Sequence, residues 1–344
     1  MLLRLDQVAF PAFLIIMAAI LFSWQAMAKL RVGILDFYNI QIAQRKSSVI
    51  SRSKSRILQK SRRGFSLLSG AIRKLGAMPV IYHPEHCQIV FQRKNSKILY
   101  RGKEIKGCDV LIPRINVIAN VELEISLIRQ FQAMGIPVVN DYLSIAKGLN
   151  KLLTLQALTK EKIKVPRTVV VRKFQYLDRA IELVGGYPVI VKSVFGTHGK
   201  GVAIIESRRS LFSALDLLWK YNSSAILLIQ EYVAEADNID YRAFVIGGRV
   251  VAAMERKAPQ GDFRSNLNLG GNGKAVKLTK QESETVIRAT RILGLDTCGV
   301  DFLRTLQGSV IMEMNPCAGL AGIMKATSVD IADKLVAFAL QKIH

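Results

Sequence analysis

Acidic residues are scarce in this chain of 344: 26 Asp and Glu stand against 49 Lys and Arg, giving a formal net charge of +23. Such a balance points to an anionic partner, whether a nucleotide, an acidic peptide, a nucleic acid or a membrane surface. Cysteine is scarce too. Cys87, Cys108, Cys298 and Cys317 lie far apart with no CxxC pair, which argues against a disulfide scaffold and for a reducing, intracellular compartment. Of the four histidines, only His83 and His86 cluster, in His83-Pro84-Glu85-His86-Cys87. The proline and the position at a strand end make that a surface loop rather than a metal site. There is no GxxxxGK[ST] loop and no GxGxxG opening a helix after the first strand. Helix-turn-helix and RNA-recognition signatures are also missing, so sequence-specific nucleic-acid binding is not expected. A disordered polymer is excluded, because half the residues are hydrophobic.

The run Phe10 to Phe22 is apolar, but its 13 residues fall short of the ~20 that span a bilayer. It ends in Ala26-Met27-Ala28, the small-x-small pattern of a cleavable signal. Three readings stay open: an upstream extension or misplaced start, a membrane-associating segment, and a cleaved signal. From Lys29 onward, strand-like runs (Leu30 to Leu35, Pro79 to Tyr82, Asp109 to Pro113, Pro137 to Val139) alternate with helical patterns (Leu67 to Leu75, Glu122 to Met134). That alternation predicts a parallel sheet with helices on its faces, an α/β class. Arg45 to Arg63 carries eight basic residues and no acidic one, either a solvated loop or an arm that recruits anions. One helix is expected over Ser144 to Lys160. Strands follow at Thr168 to Val171, Pro188 to Lys192, Val202 to Ile205 and Ala225 to Ile229, with helices at Leu177 to Val184 and Ser210 to Tyr221. After Glu231 the chain becomes strand-rich (Tyr241 to Ile246, Val250 to Met254, Thr297 to Leu303, Ser309 to Met314), with helices at Gln281 to Leu293 and Asp330 to Lys342.

The chemistry-bearing pattern begins with Asp301, Glu313 and Asn315 on two consecutive strands. Side chains alternate along a strand, so Glu313 and Asn315 share a face. A hairpin turning near Gln307 would set Asp301 opposite Glu313. Two carboxylates and an amide suit Mg²⁺, which takes hard oxygen ligands and leaves positions for water and phosphate; taken alone, the trio reads equally as surface polarity. Lys192 ends an apolar strand, as an end cap or as a phosphate cation. The turn Gly196-Thr197-His198-Gly199-Lys200-Gly201 has the backbone freedom to fold N–H groups over phosphate oxygens. Lys151 is a second candidate cation, and Ile229 to Val233 forms a strand whose backbone could read an adenine edge.

In this order the residues resemble the ATP-grasp superfamily, and within it the RimK family of glutamate ligases. The resemblance is carried by Val110-Leu111-Ile112-Pro113-Arg114-Ile115, Gln230-Glu231-Tyr232, Asp240-Tyr241-Arg242, Glu255-Arg256-Lys257-Ala258 and Met312-Glu313-Met314-Asn315. Gly261-Asp262-Phe263-Arg264-Ser265-Asn266-Leu267 is the most family-specific stretch. It implies an ATP-grasp fold, α+β in its C-terminal lobe, behind a parallel-sheet pre-ATP-grasp domain. The expected divisions are a hydrophobic segment (1–28), the pre-ATP-grasp domain (29–140), an N-terminal lobe (141–228) and a C-terminal lobe (229–344). Matched by position, Lys151 and Lys192 would contact ATP phosphates, and Glu231 and Tyr232 would line the adenine and ribose pocket with Asp240 nearby. Arg264, Ser265 and Asn266 would face nucleotide and acyl substrate, with Arg264 and Lys192 catalytic. Asp301, Glu313 and Asn315 would hold Mg²⁺ or Mn²⁺, two ions in all.

The implied reaction is ATP-dependent ligation of a carboxylate to an amine through an acyl phosphate, adding glutamate to the C-terminal tail of a small-subunit ribosomal protein or a similar acidic acceptor. A small-molecule or coenzyme acceptor is the alternative, as is a non-catalytic, basic ribosome- or RNA-associated protein. A cytoplasmic homo-oligomer is expected. Three departures from the family bear on the acceptor and amino acid. Asn150 stands where Asp is usual, Asn268-Leu269 replaces His-Arg, and Pro316-Cys317-Ala318-Gly319-Leu320-Ala321-Gly322 follows Asn315.

Overall fold

A computed structural model describes residues 30–36, 64–115, 121–194, 202–221, 225–259 and 272–343. The N-terminal hydrophobic segment, the basic stretch Arg45 to Arg63, the glycine turn Gly196 to Gly201, and Arg264, Ser265 and Asn266 lie outside the described residues. Among the described residues no helix is long and apolar enough to cross a membrane.

The chain opens with strand β1 (Arg31–Asp36), helix α1 (64–74) and strand β2 (Met78–Tyr82). Three further strands follow, β3 (Cys87–Phe91), β4 (Ser96–Tyr100) and β5 (Lys103–Glu104), then β6 (Val110–Arg114) and helix α2 (Val121–Ala133). β2, β1 and β6 pair in parallel in that order. The apolar residues of β1 and β6 are buried on both faces, as a helix-covered parallel sheet requires, while the edge strand β2 is only partly covered. Gly33 on β1 makes room for β6's approach: a Cβ there would lie 2.5 Å from the Cys108 sulfur. The expected strand at Pro137 to Val139 is a single bridge, Leu111 to Val138, because Asn140 turns the chain out of the sheet. β3, β4 and β5 form a separate antiparallel sheet that the sequence reading did not anticipate. Its alternation is visible once paired, with Ile89 opposite Ile98 and Ile98 fully buried.

The next segment holds α3 (Tyr142–Leu149), α4 (Lys151–Lys160), β7 (Thr168–Val171), α5 (Leu177–Val184), β8 (Val189–Ser193), β9 (Val202–Ile205), α6 (Arg208–Tyr221) and β10 (Leu227–Glu231). The single helix expected over Ser144 to Lys160 is two. Asn150 has an extended backbone, ends α3 and caps α4 by accepting from the amides of Leu152 and Leu153. Asn caps as well as Asp does, so the family's usual residue loses nothing structurally by this exchange. The antiparallel sheet β7-β10-β8-β9 packs on α5 and α6 through its own core, which includes Leu177, Val189, Leu211 and Ile229.

The last segment runs β11 (Ile239–Ile246), β12 (Arg249–Lys257), β13 (Asn272–Ala275), α7 (Lys280–Ile292), β14 (Thr297–Thr305), β15 (Gly308–Asn315), α8 (Leu320–Thr327) and α9 (Ile331–Leu340). The sheet order is β13-β12-β11-β14-β15, antiparallel throughout. One face packs on α4 and α7 through Leu158, Val286, Val300 and Phe302. The other, at its far end, joins Phe244 and Met254 to α8, α9 and the first parallel sheet in one continuous core. The first domain and this last sheet are therefore one body in packing terms.

A buried amide joins them. Asn140 is 1% exposed; it donates to the carbonyls of Thr297 and Pro316, both at 2.9 Å, and accepts from the Thr297 amide at 2.7 Å. Asn140→Ala would leave these buried groups unpaired, a cost of about 2–3 kcal/mol. Urea unfolding should show the loss as a lower midpoint, whereas a change below about 0.5 kcal/mol would mean that water replaces the amide.

Candidate functional site

A cleft runs between the β7-β10-β8 sheet and the edge strand β15. It is lined by Lys151, Lys192, Leu228, Gln230, Met312 and Glu313. Lys151 opens α4 directly after its Asn150 cap, and its ammonium stands 3.4 Å from the Glu313 carboxylate. Lys192 projects from β8 and donates to Gln230 Oε1 at 2.6 Å. Its pKa is pushed down to about 8. Packing around the ammonium is the main cause; Glu313 opposes it, Lys151 reinforces it, and Asp301 and Asp240 oppose it further. Lys192 and Glu313 thus face one cleft.

Asp301 on β14 pairs in register with Glu313 on β15 and with Arg242 on β11. The hairpin turns at Leu306-Gln307, between Thr305 and Gly308. A register shift between Asp301 and Phe302 leaves Met312 out of the ladder. This bulge changes the parity of β15. Ile311 and Met314 both reach the core with Phe302 and Val300, while Glu313 and Asn315 take the opposite face. In an unbroken strand Ile311, Glu313 and Asn315 would all share one face.

Asp301 is buried and clamped by two guanidiniums. Arg242 makes two bonds to it, both 2.6 Å, and Arg256 reaches it at 3.1 Å while holding Asp240 at 2.5 and 2.7 Å. Burial alone would raise the Asp301 pKa, but Arg242 and Arg256 outweigh it and hold the carboxyl below the ordinary range. Burial likewise disfavours the Arg256 cation, and Asp301 and Asp240 more than restore it. Asn315 donates its amide N–H to Asp301 at 3.3 Å, which leaves the amide oxygen free to meet a cation. Gly299, opposite Asn315, lets the following loop close in, since a Cβ there would lie 2.5 Å from Ala318 Cβ.

Among the described residues no three His, Cys, Asp or Glu side chains gather as a metal centre. The trio here is two carboxylates and an amide, all hard oxygen donors, with Glu313 the more open of the carboxylates. That donor set fits a small divalent ion that also binds phosphate and water.

Lys151, Lys192, Asp240, Asp301, Glu313 and Asn315 are brought together by their contacts and charges. Glu231 and Tyr232 sit at the far end of β10. The Glu231 carboxylate is held by Arg167, with 2.5 Å to Nε and 2.9 Å to the backbone amide. Tyr232 donates its hydroxyl to Asn238 at 3.0 Å. The sequence reading gave no role to Arg242, Arg256 or Gln230. The i, i+2 spacing of Asp240 and Arg242 was the available signal, because it puts opposite charges on one face of a strand.

Residues 148–339 match the family model described as the RimK-like ATP-grasp domain, and residues 49–145 match the RimK PreATP-grasp domain. A probable alpha-L-glutamate ligase from Maridesulfovibrio salexigens is 38% identical over 257 residues, covering 74% of this chain and 84% of that one. Among solved structures, the ATP-grasp ligase PsnB complexed with minimal precursor superposes with a TM-score of 0.66 at 18% identity, over 92% of this chain and 99% of that one. The D-alanine–D-alanine ligase from Bacillus anthracis gives a TM-score of 0.61 at 15% identity, over 91% and 97%. At such identities the likeness concerns the fold: ATP-grasp behind a pre-ATP-grasp domain.

The clamp makes a stability prediction. Arg256→Met leaves Asp240 without its guanidinium partner and Asp301 with Arg242 alone, and should cost about 3 kcal/mol near neutral pH. Asp301 has a depressed folded pKa, so its contribution is present above the ordinary carboxylate range and is lost as pH falls through the folded value. The gap between variant and parent should accordingly narrow in acid. Urea unfolding across pH measures it; a gap that stays constant would mean lost packing rather than lost charge pairing.

Proposed function

The chain belongs to the RimK-like ATP-grasp family, and we propose that it joins glutamate by an amide bond to a small-molecule or short-peptide acceptor. ATP-dependent carboxylate–amine ligation is the activity of that family, and its fold implies ATP and a divalent cation. The observation that carries the proposal is the meeting of Lys151, Lys192 and Glu313 across one cleft, beside Asp301 and Asn315.

Lys192 holds phosphate oxygens from one wall, and Lys151, on α4 beside Glu313, from the other. Asp301, Glu313 and Asn315 would hold two Mg²⁺ or Mn²⁺ ions on the Lys151 side, and such an ion neutralises the charge of the transferring phosphoryl group. Phosphoryl transfer needs positioning and charge neutralisation more than a protein nucleophile. The substrate carboxylate takes the terminal phosphoryl group and ADP leaves. The amine nitrogen then bonds to the acyl carbon, phosphate departs with the C–O electron pair, and the amine loses a proton. Arg264, Ser265 and Asn266 join the nucleotide and acyl side on the strength of the resemblance.

Glutamate is favoured by the name of the Maridesulfovibrio relative. For the acceptor, the fold relatives are a ligase complexed with a precursor peptide and a D-alanine–D-alanine ligase. They support a peptide or a small molecule, and nothing among them supports the ribosomal-protein tail suggested first by the resemblance. The net charge of +23 suits an acidic acceptor. Four unpaired cysteines suit the cytoplasm.

ADP release with glutamate, with and without candidate acidic peptides and small amines, tests the reading. Glutamate-dependent release that rises with an acceptor supports it; release indifferent to glutamate overturns the amino-acid assignment. Glu313→Ala should lower turnover about 100-fold or more, with circular dichroism unchanged. Near-parental turnover at saturating Mg²⁺ would remove Glu313 from the metal site.

A further inference from the structure

Behind Lys192 lies a chain of hydrogen bonds whose polarity is fixed at both ends. Lys192 Nζ can only donate, and it donates to Gln230 Oε1 at 2.6 Å. The Gln230 amide nitrogen donates to Thr168 Oγ1 at 2.9 Å, and the Thr168 hydroxyl donates to the Pro166 carbonyl at 2.8 Å. A carbonyl can only accept, so the Thr168 proton is committed to Pro166 and its lone pair faces Gln230. That leaves the Gln230 amide with one orientation, oxygen toward Lys192. The placement comes from the sheet: Thr168 is directly opposite Gln230 on β7, and Lys192 is opposite Leu228, two residues along β10 from Gln230. All four side chains lie on the face that lines the cleft. Gln230 is 2% exposed, so solvent does not offer Lys192 a substitute acceptor there.

We propose that Gln230 is a positioning residue, which with Thr168 holds the Lys192 ammonium charged and aimed into the cleft for a phosphate-bearing ligand. The inference rests on the reading that Lys192 meets nucleotide phosphates. A hydrogen bond accepted from the ammonium favours the charged form, and here it opposes the packing that drives the Lys192 pKa down to about 8. Without it the ammonium would lose its proton at lower pH and its direction at every pH. Among the described residues, Lys151, Glu313, Asp301 and Asp240 are the other charges facing Lys192, and none of them is altered by changes at Gln230 or Thr168.

Calorimetric affinity for ADP, measured with a chelator from pH 7.5 to 10, tests this without any knowledge of the acceptor. The second phosphate ionisation, near pH 6, is then complete. In the parent protein affinity should fall above about pH 8, by up to tenfold per unit. Gln230→Leu should move that fall to lower pH by about one unit, so that affinity is already falling at pH 7.5, and Gln230→Glu should move it higher. Thr168→Val should shift it in the same direction as Gln230→Leu, and Thr168→Ser should restore it. Opposite shifts in the two Gln230 variants cannot arise from a general loosening of the fold. If Gln230→Leu does not fold, the Thr168 pair decides alone: equal behaviour of Val and Ser overturns the relay. Lys192→Met separates the two levels of the argument. A variant that binds ADP as tightly as the parent removes Lys192 from phosphate binding and the relay with it. Weakened, pH-flat binding in Lys192→Met with an unmoved Gln230→Leu profile rejects the relay alone.

Discussion

The site depends on one buried carboxylate that two arginines keep ionised. Asp301 meets Arg242 from β11 and Arg256 from β12, and Arg256 reaches on to Asp240. Removing such charges from water costs several kcal/mol per ion, so the arrangement persists only because each ion is paired with good geometry. It also explains why one sheet face changes character along its length. Phe244 and Met254 belong to the shared core, whereas Arg242, two residues before Phe244, and Arg256, two residues after Met254, belong to the cleft. The boundary between core and site falls between those neighbours. A substitution there acts on both.

The two walls of the cleft are built differently. Glu313 and Asn315 stand on a sheet whose core is continuous with the first domain, through α8, α9 and the Asn140 amide. Lys192 stands on a sheet with a separate core. Lys164, shortly before β7, links the two: its carbonyl accepts from the Ile311 amide at 2.9 Å, and its ammonium donates to the Gln307 carbonyl. A ligand that bridges Lys192 and Glu313 would therefore join two bodies that few polar contacts otherwise hold in place.

Much of this was legible in the sequence, because hairpin geometry is nearly arithmetic. Asp301 and Glu313 are equidistant from a turn between Leu306 and Gln307 apart from one residue, and the bulge at Met312 absorbs that residue. The bulge itself was not legible, since Met312, two residues from Met314, fits an unbroken alternation of apolar residues with Glu313 and Asn315. The break at Asn150 was hidden for a related reason: the apolar pattern on either side fits one long helix, and only the capping bonds reveal two. The arginine partners were hidden by abundance. With 49 basic residues, charge alone cannot select the two that clamp Asp301; strand pairing does. The β3-β4-β5 sheet escaped because its strands bury a single face, which leaves short and weak alternation.

The charge balance of the cleft follows from these pairings. Arg242 and Arg256 are matched by Asp240 and Asp301, so the clamp fixes geometry and contributes no net charge. Among the described residues, what remains facing the cleft is Lys151 and Lys192 against Glu313. One carboxylate cannot neutralise two ammoniums, and the ammoniums repel each other, which is part of what lowers the Lys192 pKa. A polyphosphate relieves that repulsion on entering, and a divalent cation relieves the corresponding repulsion between phosphate and Glu313. Each partner therefore makes the cleft more favourable for the other. Affinity for nucleotide and for metal should rise together, with Glu313 as the residue through which they are coupled.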